Sequence, residues 1–218
     1  MKLFIDSGNI KDIETLASIG IIDGVTTNPT LLSKEPGDYR DNLKKICQIV
    51  KGPVSGEVTA TDFAGMMREG HDVAEIDEHM VVKVPLTRDG IKACRALSGE
   101  GIRVNVTLCF SAAQALLAAK AGATFVSPFV GRLDDIATNG MEVVREIVEI
   151  YDNYEFTTEV LVASCRHPIH IVEAARMGAD ICTCPPAVID QLFNHPLTNI
   201  GLEKFLKDWE KAHAAAKV

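Results

Sequence analysis

One lysine, Lys83, interrupts the short apolar stretch Met80-Val81-Val82-Lys83-Val84-Pro85. A run of β-branched residues closed by a proline predicts a buried strand that ends in a turn. An unpaired ammonium is costly to bury, and a buried lysine commonly responds by losing its proton. A neutral amine at a strand end is the nucleophile that attacks a carbonyl carbon, so Lys83 is a candidate for covalent catalysis. The alternative is that Lys83 snorkels from the strand end to solvent.

Polar residues also stand at the ends of other apolar stretches that we predict to be strands. In a barrel strand alternate residues point inward, so Asp6 shares a face with Phe4, and Asn105 with Thr107. Each has an ordinary alternative, such as a helix cap, a solvated strand end, a turn or a capping hydroxyl. Together, convergent polar groups at one end of successive strands predict a site. The set is Asp6, Asn28, Glu57, Asn105, Thr107, Ser127 and Ser164.

Two arginines follow the sixth and seventh predicted strands, in Gly131-Arg132-Leu133-Asp134-Asp135 and Ser164-Cys165-Arg166. Arginine and serine side chains near a helix N-terminus can bind a phosphate through charge-assisted hydrogen bonds. The sequence therefore predicts a phosphorylated small-molecule ligand. The alternative is that Arg132 forms a structural ion pair with Asp134 or Asp135.

These residues need a scaffold, and the chain alternates short apolar strands with amphipathic helices along almost its whole length. Eight such units in this length predict a (β/α)8 TIM barrel with an additional C-terminal helix. We expect a single domain over 1–218, with the barrel over about 1–185 and a helical extension over about 186–218. The predicted strands lie near 2–6, 23–26, 54–58, 80–84, 103–107, 124–128, 158–162 and 180–184.

The composition bounds the possible functions. The 218 residues carry a net charge of −8, which argues against a nucleic-acid or anionic membrane partner. Asp6 interrupts the N-terminal apolar run after too few residues for a signal peptide, and no apolar stretch reaches membrane-spanning length. We therefore expect a cytoplasmic protein. The six cysteines are expected to be reduced and buried. Cys182 and Cys184 share a strand face, but no second pair with zinc-site spacing is near them in sequence, so we expect no metal site.

Five motifs in order resemble the transaldolase family, and the likeness is greatest to its short, single-domain branch, which also contains the fructose-6-phosphate aldolases. The resemblance extends from about residue 1 to about residue 200. The motifs are Phe4-Ile5-Asp6-Ser7, Gly24-Val25-Thr26-Thr27-Asn28-Pro29-Thr30-Leu31-Leu32, Val82-Lys83-Val84-Pro85, Asn105-Val106-Thr107-Leu108 and the run from Ser127 to Asp135.

The resemblance implies a role for each of the residues above. It implies a Schiff-base lysine at Lys83, an acid/base for the donor hydroxyl at Asp6, and a pair at Glu57 and Thr107 that works through a water. Donor-binding positions correspond to Asn28 and Asn105, pocket-lining ones to Ser127 and Phe129, and phosphate-binding ones to Arg132, Ser164 and Arg166. No cofactor is expected, because an iminium on the lysine is itself the electron sink.

The reaction that the resemblance implies is transfer of a dihydroxyacetone unit between sugar phosphates. Glu57 and Phe129 stand where the related aldolases carry Gln and Tyr, which favours the transferase over a fructose-6-phosphate aldolase. A non-covalent isomerase or epimerase and a catalytically silent sugar-phosphate-binding protein remain alternatives. The resemblance also implies a ring-like homo-oligomer, a pentamer or a decamer of two pentamers.

Overall fold

Eight parallel strands form a closed barrel in a computed structural model that describes residues 1–215. Each strand pairs with its neighbours in sequence, and β1 closes the barrel on β8 through Lys2 to Ile5 and Ile181 to Cys184. The predicted (β/α)8 barrel with an additional C-terminal helix is confirmed. The strands are β1 Lys2–Asp6, β2 Gly24–Thr26, β3 Val54–Glu57, β4 Met80–Pro85, β5 Val104–Cys109, β6 Phe125–Pro128, β7 Glu159–Val162 and β8 Ile181–Cys184.

Helices follow every strand and begin and end at residues whose chemistry suits these positions. Ser111 accepts a hydrogen bond from the backbone of Gln114 at the start of α6, and Pro168 opens α9. Gly178 ends α9 with φ of 86°, a conformation that glycine adopts without strain. The helices are α1 Ile10–Ala17, α2 Pro29–Leu32, α3 Tyr39–Val50, α4 Phe63–Ala74, α5 Arg88–Gly99, α6 Ala112–Lys120, α7 Val130–Asp134, α8 Gly140–Asn153, α9 Pro168–Met177, α10 Pro186–Gln191 and α11 Pro196–Ala215.

The apolar core has two layers separated by the sheet. Outward-facing residues of the strands pack with the buried faces of the helices in one large cluster. Inward-facing residues, most of them near the N-terminal end of the barrel, form a second, smaller cluster that fills its interior. This inner cluster is a packed floor, as barrel interiors require. It consists of Phe4, Val81, Phe125, Leu161, Ala163 and Ile181, with Phe129 packed against it.

The segment after β8 forms α10 and the long helix α11. Every described side chain from Gln191 to Ala214 is exposed, except for the intermediate position Gly201. Residues 216–218, the end of the predicted extension, lie outside the described residues. Among residues 1–215 no helix is both long enough and apolar enough to cross a membrane.

Candidate active site

A polar layer lies directly above the apolar floor of the barrel. Side chains alternate along a strand, so the residue two positions beyond an inward-facing apolar residue also faces inward, nearer the C-terminal mouth. Phe4 is followed in this way by Asp6, and Val81 by Lys83. At the same level Phe125 is followed by Ser127 and Ile181 by Thr183. One register therefore places apolar residues below and reactive residues above, at the end where barrel enzymes carry their sites.

Lys83 is buried, with 4% of its surface exposed. Its Nζ lies 3.0 Å from Glu57 Oε2 and donates a hydrogen bond to the carbonyl oxygen of Thr27, also at 3.0 Å. The alternative that Lys83 snorkels from the strand end to solvent is therefore wrong. Glu57 is a register partner of Lys83 across β3 and β4. Its carboxylate is placed to accept the proton that must leave Nζ before the amine can attack a carbonyl carbon.

Asp6 lies at the end of β1, three strands from Lys83 around the barrel, and lines the same cavity. The hydroxyl of Thr26 donates to Asp6 Oδ1 at 2.8 Å, and Thr26 Oγ1 lies 2.7 Å from Thr183 Oγ1. Burial raises the pKa of the Asp6 carboxyl, although the hydrogen bond from Thr26 and the charge of Lys83 act in the opposite direction. A raised pKa makes the carboxylate a stronger base, which suits proton abstraction from a hydroxyl.

Asn105 joins two hydroxyls across three strands. Its Nδ2 donates to Ser55 Oγ at 3.1 Å, and its Oδ1 accepts from Ser127 Oγ at 2.8 Å. All three side chains are buried, so these bonds fix the amide plane. Thr107 Oγ1, two residues further along β5, is also buried but makes no hydrogen bond in the described part of the chain. A buried hydroxyl without a partner is rare and marks Thr107 as a group with hydrogen-bonding capacity to spare.

Two adjoining cavities of about 210 Å³ and 340 Å³ meet at Lys83. Both are also lined by Asn28, Phe129 and Arg132. Nine of the eleven predicted site residues line one cavity or both, whereas Asn105 and Thr107 are buried and line neither. The nine are Asp6, Asn28, Glu57, Lys83, Ser127, Phe129, Arg132, Ser164 and Arg166.

A larger hollow of about 610 Å³ lies on the far side of Glu57, between the β2–α3 region and α4. Its wall includes the carboxylates of Glu35, Asp38 and Glu69. Negative charge disfavours a phosphorylated ligand there, so the smaller cavities at Lys83 form the candidate site in spite of their size.

The cationic end of the site consists of Arg132 on α7 and Arg166 in the loop between β7 and α9. Arg132 is exposed and forms no ion pair within residues 1–215, so the alternative of a structural ion pair with Asp134 or Asp135 is wrong. Instead Asp135 Oδ2 lies 2.7 Å from Arg166 Nη2. Both of these side chains are about half exposed, and an ion pair in that setting is weak enough for a phosphate to replace.

The structure also decides the alternative explanations of Asp6 and Asn28. Asp6 is not a helix cap, because Asn9 caps α1 by accepting from the backbone of Asp12. Asn28 does cap α2, since its Oδ1 accepts from the Leu31 backbone N–H at 2.9 Å, and it lines both cavities as well.

Sequence reasoning missed Thr26, Thr183 and the carbonyl group of Thr27. Both threonines lie in apolar strands, at positions that alternate to the inward face of the barrel. That alternation could have identified them from the sequence. A backbone carbonyl has no sequence signal.

Three cysteines come together outside the barrel lumen. Cys182 Sγ lies 3.3 Å from Cys165 Sγ and 3.6 Å from Cys184 Sγ, and all three side chains are buried. The sequence places Cys182 and Cys184 on the same face of a strand, but nothing in it indicates that Cys165, in the loop after β7, lies beside them. All six cysteines are free, as expected.

The fold and the geometry define a (β/α)8 barrel whose mouth holds a buried lysine and two carboxylates, with arginines at one rim. Comparison with known proteins identifies the family. The family profile "Transaldolase/Fructose-6-phosphate aldolase" matches residues 3–216.

Curated relatives match over nearly their whole length. A "probable transaldolase" of Anaeromyxobacter dehalogenans is 58% identical and covers 100% of both chains. Proteins of the same name from Kosmotoga olearia and Aquifex aeolicus are 56% and 58% identical, each over 97% of both chains. A thiamine phosphate pyrophosphorylase structure from Pyrococcus furiosus, with a TM-score of 0.61 at 16% identity over 86% of each chain, shows the fold alone. The chain belongs to the transaldolase/fructose-6-phosphate aldolase family and is an enzyme of the transaldolase and aldolase class.

Proposed function

We propose that this chain is a transaldolase that acts through a Schiff base on Lys83. Its donor is a ketose phosphate, fructose 6-phosphate or sedoheptulose 7-phosphate, and its acceptor an aldose phosphate, as in the pentose phosphate pathway. The observation that carries the proposal is the buried Lys83 amine, 3.0 Å from the Glu57 carboxylate, in a cavity that arginines border. The names of the relatives, "probable transaldolase", support the same reaction.

The first half of the reaction forms the covalent adduct. Glu57 takes a proton from Lys83 Nζ, and the free amine attacks the C2 carbonyl of the donor to give a carbinolamine. Glu57 then returns its proton to the C2 hydroxyl, which leaves as water. The Thr107 hydroxyl holds a water molecule that relays this proton from Glu57 to the C2 hydroxyl. The product is an iminium ion, which can accept the electron pair of the adjacent carbon–carbon bond.

The second half breaks and remakes that bond. The Asp6 carboxylate takes the proton of the C4 hydroxyl, the C3–C4 bond breaks, and an aldose phosphate departs. The electron pair of the broken bond remains as a dihydroxyacetone enamine on Lys83. An acceptor aldehyde then binds with its phosphate at Arg132 and Arg166, and the same steps run in reverse. Each proton that Asp6 takes up in cleavage is returned to the new C4 hydroxyl.

Borohydride trapping tests the covalent step. The protein is incubated with fructose 6-phosphate, reduced, digested and mapped by mass spectrometry. We expect a dihydroxyacetone-derived mass increase on the peptide that contains Lys83, and neither adduct nor turnover in Lys83→Met. Lys92, outside the site, is the internal control and should stay unmodified. Turnover without an adduct would indicate a non-covalent isomerase or epimerase, and ligand binding without turnover a silent binding protein.

The fate of the enamine separates a transaldolase from an aldolase. An aldolase protonates it and releases free dihydroxyacetone, whereas a transaldolase retains it until an aldehyde arrives. Phe129 presents no hydroxyl that could orient a protonating water. Phe129→Tyr, alone and with Glu57→Gln, should therefore increase the release of free dihydroxyacetone from fructose 6-phosphate relative to its transfer to an acceptor. Equal release by the wild type and both variants would contradict this account.

A further inference from the structure

The loop between β7 and α9 carries Ser164 and Arg166 into the smaller cavity at Lys83. Several hydrogen bonds hold its backbone, and two of them are at Ser164 and Arg166. The Ser164 carbonyl oxygen accepts from the Gly131 N–H at 3.1 Å, and the Arg166 N–H donates to the ring of His170 at 3.2 Å. The direction in which Arg166 leaves the loop therefore depends on an imidazole outside the cavity.

His170 is buried, with 3% of its surface exposed. Its Nδ1 faces the Arg166 N–H, which can only donate, so Nδ1 carries no proton and the proton is on Nε2. Nε2 lies 2.9 Å from Asp134 Oδ2 and donates to it. The other oxygen of Asp134, Oδ1, accepts from the Gly140 N–H at 3.0 Å. Burial lowers the pKa of His170, with the charge of His167 acting in the same direction and Asp134 opposing both, which favours the neutral ring.

We propose that Asp134 and His170 are positioning residues that fix Arg166 for binding the substrate phosphate. Asp134 sets the tautomer of His170, and that tautomer supplies the acceptor for the Arg166 backbone. Neither residue lines the cavities at Lys83, so both act through Arg166. The inference rests on the proposed function for the identity of the phosphate ligand and goes beyond it by assigning residues outside the site.

The tautomer separates this role from one in packing alone. In Asp134→Asn the Oδ1 acceptor for Gly140 is kept, and an NH2 group takes the place of Oδ2. That NH2 can only donate, so His170 must accept at Nε2 and carry its proton on Nδ1. Two donors then face each other at Arg166, and the loop must move although no side chain has changed size.

Substitutions of His170 test its two nitrogens separately. The amide oxygen of Asn can take the place of Nδ1, whereas the longer Gln side chain reaches the place of Nε2 and leaves the Arg166 N–H without an acceptor. His170→Asn should therefore keep Arg166 in position, and His170→Gln should not. His167→Asn is the matched control. The His167 ring lies against the His170 ring with centroids 3.9 Å apart, but His167 is exposed and its side chain makes no capping hydrogen bond to α9.

Steady-state kinetics with fructose 6-phosphate and with unphosphorylated fructose measure the effect. For Asp134→Asn and His170→Gln we expect KM for fructose 6-phosphate to rise on the order of tenfold, as for loss of one hydrogen bond to a charged group. The kcat for that donor and kcat/KM for fructose should change less than about twofold. In His170→Asn and His167→Asn the KM for fructose 6-phosphate should remain within about threefold of the wild-type value. An unchanged KM for fructose 6-phosphate in Asp134→Asn and His170→Gln would overturn the proposal. An equal loss of kcat/KM with fructose 6-phosphate and with fructose would also overturn it.

Binding of inorganic phosphate by calorimetry separates this inference from the proposed function. If Lys83 is not trapped by borohydride, the reaction assignment is wrong, but phosphate binding still reports on Arg166. Asp134→Asn should weaken phosphate binding as much as it raises KM, and Arg166→Ala should weaken it at least as much. Phosphate binding equal to wild type in Asp134→Asn would overturn the positioning role, whatever the reaction is.

Discussion

At the scale of single residues, the basicity of Asp6 depends on the hydroxyl of Thr26. Thr26 donates to the carboxylate at 2.8 Å and thereby opposes the rise in pKa that burial causes. Thr26→Val keeps the shape of the side chain and removes the donor, so the pKa of Asp6 should rise further. Because the proposed reaction needs ionised Asp6, we expect activity to be lost as pH falls through that pKa. The acidic limb of the pH profile of kcat/KM should therefore move to higher pH.

Thr183→Val is the matched control for that experiment. Thr183 Oγ1 bonds to Thr26 Oγ1 at 2.7 Å but not to Asp6, so its loss leaves the bond to the carboxylate in place. We expect a smaller shift of the acidic limb in Thr183→Val than in Thr26→Val. An acidic limb at the wild-type pH in both variants would show that Asp6 is not the titrating base.

Thr107 allows catalysis and stability to be separated. Its hydroxyl is buried without a partner in residues 1–215, so Thr107→Val removes a polar group that stabilises nothing there. The free energy of unfolding in urea should stay within about 0.5 kcal/mol of wild type or increase. The kcat should fall on the order of a hundredfold, as for loss of a general acid–base group.

Ser127→Ala provides the contrast to Thr107→Val. This change breaks a buried hydrogen bond, from Ser127 Oγ to Asn105 Oδ1 at 2.8 Å, and should lower the free energy of unfolding by about 1 kcal/mol or more. If Thr107→Val retained wild-type kcat, the acid–base role of Thr107 would be wrong.

At the scale of elements, the strands were predictable because their apolar runs are short, rich in branched residues and bounded by glycine and proline. Each predicted strand overlaps an observed strand and differs at its ends by at most two residues. The period of two then placed Asp6, Lys83 and Asn105 on the inward face, and the barrel brings them together.

Contacts between distant segments were not predictable in this way. The third sulfur of the cysteine cluster comes from a loop, and nothing in the sequence relates Cys165 to Cys182. The ion pair of Arg166 with Asp135, in place of one from Arg132, likewise depends on how the loop after β7 lies against α7. Pairings of this kind depend on loop conformation, for which hydrophobic periodicity carries no information.

Backbone conformation at the strand ends also shapes the site. Leu108 and Ser164 have φ of 57° and 60° and line the cavities at Lys83. Residues other than glycine adopt such angles at a cost that the surrounding packing must offset, and they occur often at functional sites. Neither was predicted, because leucine and serine have no preference for this region.

Gly131 permits the close approach of α7 to the loop that carries Ser164 and Arg166. A Cβ at position 131 would lie 2.2 Å from the Ser164 carbonyl oxygen and 2.7 Å from Arg166 Nε. Gly131→Ala must displace the backbone of the loop. The KM for fructose 6-phosphate should therefore rise on the order of tenfold or more, as for loss of one hydrogen bond to a charged group. The free energy of unfolding should fall by about 1–3 kcal/mol.

Gly99→Ala is the matched control for Gly131→Ala. Nothing lies within 4 Å of an added Cβ at position 99, the last residue of α5. Alanine favours the helix over glycine, so this variant should keep wild-type KM and be slightly more stable. Equal KM values in Gly131→Ala and wild type would show that the spacing of α7 and the loop does not control phosphate binding.

At the scale of the whole molecule, α11 presents an apolar stripe that the barrel does not cover. Leu202, Phe205, Leu206 and Trp209 recur at helical spacing, and Phe205 and Trp209 are 70% and 65% exposed. On the outer face of the barrel, α5 and α6 border apolar hollows of about 570 Å³ and 550 Å³ with lysine and arginine at their rims.

A large apolar stripe is unfavourable in water, so we expect α11 to be covered by a second copy of the chain in a homo-oligomer. Phe205→Ser with Trp209→Ser should convert the oligomer to monomers, measured by sedimentation equilibrium. The far-ultraviolet circular dichroism should remain that of a folded barrel, because neither side chain is part of the barrel core. Lys207→Ser, a polar change on the same helix, is the control and should leave the assembly intact. A wild-type mass for the double variant, or a monomeric wild-type protein, would exclude α11 as the contact between subunits.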